Sequence, residues 1–361
     1  MTIDSFFEDI DRGRDGRNWG YSLGLSKLED LTDGLTKATY TLLFASSGVG
    51  KSSLALYSYI YRPIMEHLTD CKLKITLFAL EMKKEMIYAK LLSTYVYEKY
   101  GVSLSMKEIF SRKKGYRLSD EHRAILEECK PWLEKVFRVL HVIDESMSAN
   151  KFYKNVIKDL EEDGTFTDTE HHSGYVKNNP DMIHLFVVDH LNLAVPTGGR
   201  SKKEEIDLIS NMAVGIRNRT EASFLMIMQS NRAVASMDRK KQGFNEPIKE
   251  DIKESGVPAE DAEIILALYD PNNDHLNTYK DWNIKLLGER FRAILCLKSR
   301  YGESNARVGC FYDGKVNYWE ELPKKVIDYT PYLREGDIDN SISTDNVDNK
   351  DTSKRKFNYT L

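Results

Sequence analysis

Five nearly unbroken apolar runs mark out the chain: TYTLLFAS at 39–46, LKITLFALE at 73–81, IHLFVVD at 183–189, SFLMIMQ at 223–229 and AILCLKS at 293–299. A strand with one wet face alternates apolar and polar residues, whereas a strand covered on both faces is apolar throughout. The runs therefore predict strands of a buried, mostly parallel sheet. Between them, apolar residues recur every three or four positions and predict helices over 52–61, 84–100, 119–136, 149–162 (closed by Gly164) and 203–218. In the last of these Ile206, Ile209, Met212 and Ile216 share one face. Strands alternating with helices imply an α/β fold, a mostly parallel central sheet flanked by helices. Polar insertions interrupt it at 165–179 and 270–281.

The ends read differently. Residues 2–17 are polar except for Ile3, Phe6, Phe7 and Ile10, a helical stripe on an arm that precedes a compact region starting near Tyr21. Residues 1–20 are thus taken as an arm or linker helix, 21–334 as one domain, and 335–361 as a disordered tail rich in Asp, Asn, Ser and Thr. The closing KRKFNYTL is basic and aromatic and is read as a frayed end, with a contact peptide as the alternative.

Composition narrows the class. A chain of 361 residues that is 41% hydrophobic can bury one large core or two modest ones. No apolar run is long enough to span a bilayer, and the first residues lack a signal-peptide pattern. Cys71, Cys129, Cys296 and Cys310 are scattered and form no CxxC pair, which implies reduced thiols and a cytoplasmic protein. A net charge of −4 gives no global basic field, so any nucleic acid would be held by local loops. His171, His172, His184 and His190 lack ligand spacing and have no nearby Cys, so no structural zinc is expected. Neither GxSxG nor HExxH occurs.

The sharpest chemistry is Ser46-Ser47-Gly48-Val49-Gly50-Lys51-Ser52-Ser53, which follows an apolar strand and opens a helix. This is the setting of a phosphate-binding P-loop: glycines let backbone N–H groups turn inward, and the helix N-terminus adds its dipole. Lys51 suits the β- and γ-phosphates of ATP, and the Ser52 hydroxyl suits Mg²⁺. Ala45 stands where the pattern G-x-x-x-x-G-K-[ST] has its first glycine, at the joint of strand and loop. Three polar residues end other apolar runs, where ligands of open α/β sheets collect. Asp189 suits Mg²⁺ held through water, Glu81 the orientation of an attacking water, and Gln229 the sensing of a γ-phosphate.

These segments resemble the C-terminal ATPase domain of DnaB-family replicative helicases, over about Tyr21 to Trp319. The resemblance runs through GLSKLEDLTDGL (24–35), ALEMKKEMIYAKLLS (79–93, with Glu81 as the catalytic glutamate), LFVVDHLNLA (185–194, with Asp189 as the metal aspartate) and MQSNRA (228–233, with Gln229 as sensor). It continues through DIKESG (251–256), EDAEIILALY (260–269) and LKSRYG (297–302), the last followed by a strand ending at Trp319. It implies a RecA-like P-loop ATPase core that uses ATP and Mg²⁺ and translocates on single-stranded DNA 5′ to 3′ as a ring, hexameric by resemblance. The source implied is phage-type.

In that family a basic pair, here Lys298 and Arg300, acts on a neighbouring subunit's nucleotide. Two residues apart on an extended strand, they are expected to share a face. DIKESG would contact DNA through Lys253, Glu254 and Gly256, with lysine where the family commonly has arginine. Arg200 and Lys202, in a Gly-rich basic loop, and Arg239, Lys240 and Lys241 are further candidates, each also readable as solvated surface. The family's N-terminal collar has no counterpart in the roughly twenty residues before the match. The Ile3/Phe6/Phe7/Ile10 stripe resembles the linker helix that clips ring subunits together; packing on its own domain is the alternative. A primase or helicase loader would be a partner. Two other readings stay open: a RecA-like recombinase forming filaments, and a nucleotide-gated loader or assembly factor.

Overall fold

Successive side chains of a strand point to opposite faces of its sheet, and in the run Leu42-Leu43-Phe44-Ala45 all four are buried. The computed structural model, which describes residues 3–169, 172–231 and 246–333, shows what covers them. Leu43 and Ala45 belong to one apolar layer with Ile75, Leu77, Leu185, Val187, Leu225 and Ile227. Leu42 and Phe44 belong to the opposite layer with Phe78, Phe186, Val188, Met226 and Met228.

In chain order the strands are β1 (Tyr40–Ala45), β2 (Leu73–Ala79), β3 (Leu140–Ile143), β4 (Gly164–Thr169), β5 (His172–Lys177), β6 (Ile183–Asp189), β7 (Ser223–Gln229), β8 (Ile264–Tyr269), β9 (Thr278–Tyr279), β10 (Trp282–Asn283), β11 (Phe291–Lys298), β12 (Ala306–Asp313) and β13 (Tyr318–Glu321). Nine of them form one sheet in the order β13-β12-β11-β8-β1-β7-β6-β2-β3. From β8 to β3 all neighbours are parallel, and β11, β12 and β13 close the sheet antiparallel. The run at 293–299 is therefore a correction to the expected parallel set. β11 is buried on both faces along most of its length, and burial alone says nothing of direction.

The first face is covered by a helical rod over residues 51–67, the helix Lys84–Tyr100 and the helix Lys130–Val139. The rod begins in α-helix, passes through a π-helical stretch at Ala55–Tyr61 and returns to α at Arg62. The second face is covered by Ala149–Glu162 and Lys202–Thr220. The helix expected over 119–136 breaks at Cys129 into Asp120–Glu128 and Lys130–Val139, where Pro131 enters the first turn of the second helix. The polar insertion after Gly164 is a hairpin, β4 against β5, and the one after Asp270 holds the small pair β9 and β10.

The N-terminal helix Ile3–Arg14 is tied down by polar contacts. Arg12 reaches Asp181 at 2.8 Å, and Arg17 beyond the helix reaches the same carboxylate at 3.2 Å. Ile3, Phe6, Phe7 and Ile10 are all exposed, so the stripe does not pack on its own domain. Among the described residues no helix is long and apolar enough to cross a membrane. The tail from 335 onward and Arg239, Lys240 and Lys241 lie outside the described residues.

Candidate functional site

Residues 46–50 leave the carboxyl end of β1 and turn into the helix that starts at Lys51. Gly48 and Gly50 have φ of 81° and 113°, in the left-handed region where a Cβ is strained. Gly48 is exposed, and a Cβ there would meet no atom within 4 Å, so the left-handed backbone and not crowding calls for glycine. Ser47 is exposed at the turn and Val49 is buried beneath it. Ala45 is the last residue of β1, buried and in register with Gln229, and lies outside the positive-φ positions. The two left-handed residues are both glycines, so alanine at 45 puts no strain on the loop.

The β1 neighbours bring the remaining groups to this edge. The Ser52 hydroxyl donates to Asp189 Oδ1 at 3.0 Å, joining the first turn of the helix to the end of β6. Asp189 is almost fully buried, and that burial pushes its carboxyl up to about 6; Ser52, Lys51 and Lys90 pull it back down and Glu81 pushes it further up. Lys51 is buried at the helix start. A hydroxyl and a carboxylate brought together are a pair of oxygen donors that could hold Mg²⁺. Among the described residues no group of three or more His, Cys, Asp or Glu could hold a metal alone.

β2 ends at Ala79, so Glu81 stands two residues past the strand, exposed, with its carboxylate 3.9 Å from His190 Nε2. That imidazole is buried next to Asp189; burial, and then the Lys51 charge, push it towards its neutral form. Gln229 ends β7 beside the loop, and the backbone N–H of Ser230 donates to Ala45 O at 3.0 Å. Four of the groups read from the sequence, Ser52, Asp189, Glu81 and Gln229, thus meet at one sheet edge with Lys51.

Further braces had no signal in the sequence pattern. Lys90 Nζ donates to Ser53 Oγ at 3.2 Å, and Tyr312 Oη donates to the same oxygen at 3.1 Å. Burial pushes Lys90 towards its neutral form, opposed by Asp189 and Glu81. Arg292 Nε donates to Val49 O at 2.7 Å, gripping the apex of the loop from β11, and its guanidinium pairs with Asp270 at 3.1 Å.

Lys298 and Arg300 are elsewhere. β11 runs antiparallel to β8, with Ala293 opposite Tyr269 and Lys298 opposite Ile265. Lys298 Nζ donates to the carbonyls of Ala259 and Glu260 at 3.3 and 3.1 Å. Arg300 pairs with Glu263 at 3.4 Å, and Glu263 accepts from the backbone N–H of Tyr40 at 2.8 Å. Tyr40 begins the strand whose other end carries the phosphate loop, so Arg300 is a full strand, ~17 Å, from that loop. The expected shared strand face is corrected: β11 ends at Lys298 and Arg300 lies in the turn beyond it. The two still reach one patch, around the segment 259–263.

Residues 20–321 match the DnaB-like helicase C-terminal domain family. The chain belongs to that family. Among curated proteins it is similar to the replicative DNA helicase DnaB of Buchnera aphidicola, 26% identical over 77% of this chain and 51% of that one. The Helicobacter pylori replicative DNA helicase DnaB is 24% identical over 69% of this chain and 43% of that one. The chain thus spans about half the length of the curated relatives it matches. A solved ATPase domain superposes with a TM-score of 0.67 at 17% identity, covering 89% of this chain and 99% of that one. A DnaB-like replicative helicase, solved in a study of its interactions with primase, gives 0.65 at 18% identity, covering 90% and 67%. The fold is the RecA-like ATPase fold.

The loops of this DnaB-like domain that carry the candidate DNA contacts differ in how free their cations are. Arg200 is committed inward: Nε donates to the buried Glu205 at 2.7 Å, and Nη2 to Thr197 Oγ1 at 2.8 Å. Lys202 is exposed at the start of the helix Lys202–Thr220. Lys253 is half-exposed, with Glu254 at 3.5 Å. The left-handed residue of DIKESG is Glu254, at φ 77°, and not Gly256. Gly256 is exposed, and a Cβ there would meet only Glu260 Oε1 at 4.0 Å, so its backbone is approachable from outside.

Proposed function

We propose that this chain is the motor of an ATP-dependent DNA helicase, moving along single-stranded DNA as a ring of like subunits, six by resemblance, in the 5′-to-3′ direction. ATP sits in the loop Ser47–Ser53. Lys51 neutralises its terminal phosphates, and Ser52 and Asp189 hold Mg²⁺ there. Bound Mg²⁺ would supply positive charge to offset the negative charge that builds as the γ-phosphate is transferred. Glu81 orients the attacking water and accepts its proton, and Gln229 responds to the γ-phosphate. Lys253, Glu254 and Gly256 face the DNA backbone, as does Lys202 in a second loop; Arg200 shapes that second loop through Thr197 and Glu205. A primase or a helicase loader is the partner class implied by resemblance.

The observation that carries this reading is the division of the site. The phosphate loop, hydroxyl, aspartate, glutamate and glutamine share one sheet edge, while Arg300 is paired with Glu263 at the other. A guanidinium a strand's length from its own phosphate loop does not reach that loop's nucleotide, which supports a role at another subunit's. The exposed Ile3/Phe6/Phe7/Ile10 stripe is the natural clip between such subunits.

The test is ATP turnover with and without single-stranded DNA, followed by mixing of two dead variants, Lys51→Ala and Arg300→Ala. Each alone is expected to be inactive. In randomly mixed rings about a quarter of interfaces pair an intact loop with an intact arginine, so turnover should return to about a quarter of wild type. Full activity of Arg300→Ala alone would end the shared-site reading. A forked duplex with one 5′ or one 3′ tail then reads polarity.

A further inference from the structure

Asn192 lies three residues past Asp189, in the turn that leaves β6, and none of the chemistry above uses it. Its side chain is buried at 3% exposure. Its Oδ1 accepts from the backbone N–H of Gln229 at 2.8 Å, and its Nδ2 donates to the carbonyl of Lys253 at 3.4 Å. The N–H of Lys253 donates in turn to the carbonyl of Gln229 at 3.1 Å. These three bonds close a ring through Asn192, Gln229 and Lys253. The carboxamide presents one acceptor to Gln229 and one donor to Lys253, as a backbone peptide group could. Its orientation is fixed by the partners, since an N–H needs the oxygen and a carbonyl needs the nitrogen.

We propose that Asn192 is a positioning residue that couples the nucleotide site to the DNA-facing loop, holding Gln229 and Lys253 in a fixed relation so that a shift of one moves the other. The inference rests on the helicase reading. The ring joins three segments with separate duties: the turn leaving Asp189, the end of β7 that carries Gln229, and the segment that carries Lys253. The connection continues beyond the ring. Ser255 Oγ is hydrogen-bonded to Asp207 of the helix Lys202–Thr220, and Gly256 opens the short helix Val257–Asp261. Carbonyls of that short helix, at Ala259 and Glu260, are the ones that hold Lys298. A contiguous path therefore runs from this chain's own phosphate edge, through the loop and the short helix, to Lys298 of the basic pair.

Asn192→Asp isolates the coupling. The carboxylate keeps its shape and still accepts from Gln229, but turns a second acceptor towards the Lys253 carbonyl. Asn192→Ser, too short to span the gap, is the second variant. Three quantities are measured on the full-length chain: affinity for a fluorescent ATP analogue, affinity for oligo-dT, and the factor by which oligo-dT raises ATP turnover. Nucleotide affinity should stay within about twofold of wild type while the stimulation factor falls about tenfold in both variants. A merely structural role would lower affinity and turnover together. Wild-type stimulation in Asn192→Asp or Asn192→Ser would overturn the coupling role and leave the helicase reading intact. If the wild-type chain itself ignores DNA, the helicase reading falls and this inference falls with it.

Discussion

Replacing Arg292 with methionine tests whether the phosphate loop is held from β11. Arg292 donates to Val49 O at 2.7 Å, to Glu289 O at 2.8 Å and to Phe291 O at 2.7 Å, and pairs with Asp270 at 3.1 Å. Both members of the pair are buried. Burial pushes the guanidinium down and the Asp270 carboxyl up, and their mutual attraction only partly offsets it. The intact pair is therefore close to break-even against an apolar replacement, but removing one partner strands the other. A stranded buried charge costs about 3–5 kcal/mol, and the charged bond lost at Val49 about 1.5–3 kcal/mol. The two losses share one side chain and do not add, so about 4 kcal/mol is expected, a large part of the roughly 5–15 kcal/mol of a folded domain.

The assay is urea unfolding by linear extrapolation, run as a cycle with Asp270→Asn. Asn at 270 removes the stranded charge, so Arg292→Met/Asp270→Asn should recover about 2 kcal/mol over Arg292→Met alone. Where the single variant stays folded, a loosened Val49 should weaken an ATP analogue about tenfold, equivalent to about 1.4 kcal/mol. An Arg292→Met chain within about 1 kcal/mol of wild type, or a double variant as unstable as the single, would refute the brace.

Other outcomes follow from the same contacts. Glu81→Gln should cut ATP turnover about 10²- to 10⁴-fold with nucleotide affinity unchanged, read by single-turnover hydrolysis beside a binding titration. Asp163 is held at about 2, chiefly by the hydrogen bond from His184 and further by Lys74. A carboxylate depressed from 3.8 to about 2 stabilises the fold above pH ~4, and that contribution is lost as pH falls towards 2. Partial exposure reduces its size to about 1 kcal/mol, so Asp163→Asn should match wild type at pH 2 and fall below it at pH 6 in urea titrations. Deleting residues 3–12 should lower the assembly size in sizing chromatography; an unchanged assembly would remove the clip role of the exposed stripe.

Legibility in the sequence followed the reach of each interaction. The phosphate loop was readable because its chemistry is local: two glycines, a lysine and a hydroxyl within five positions, and a strand before them. The central strands were readable because parallel strands are apolar on both faces. β8, with the equally apolar IILALY, carries the same signal as the other central strands, and the direction of β11 is not visible in the sequence because burial is blind to polarity. Arg292 and Val49 are separated by 243 positions and Tyr312 and Ser53 by 259, and no spacing rule spans that. His190, set aside as a metal ligand, ends beside Glu81 for a reason no sequence window shows: β2 and β6 are neighbours in register, Ala79 opposite Asp189.

Register also bears on the proposal that the catalytic groups come from two subunits. Turning β11 antiparallel sends its carboxyl end, with Lys298 and Arg300, away from the edge where every parallel strand delivers its carboxyl end. A parallel β11 would have placed those cations beside this chain's own Lys51. The antiparallel one places them on Glu263 and the carbonyls of Ala259 and Glu260, at the exit of the segment that begins with the loop 251–256. In the proposed ring, the direction of one strand thus decides that hydrolysis belongs to an interface. It also places the residues proposed to contact DNA next to those that would complete the next subunit's site.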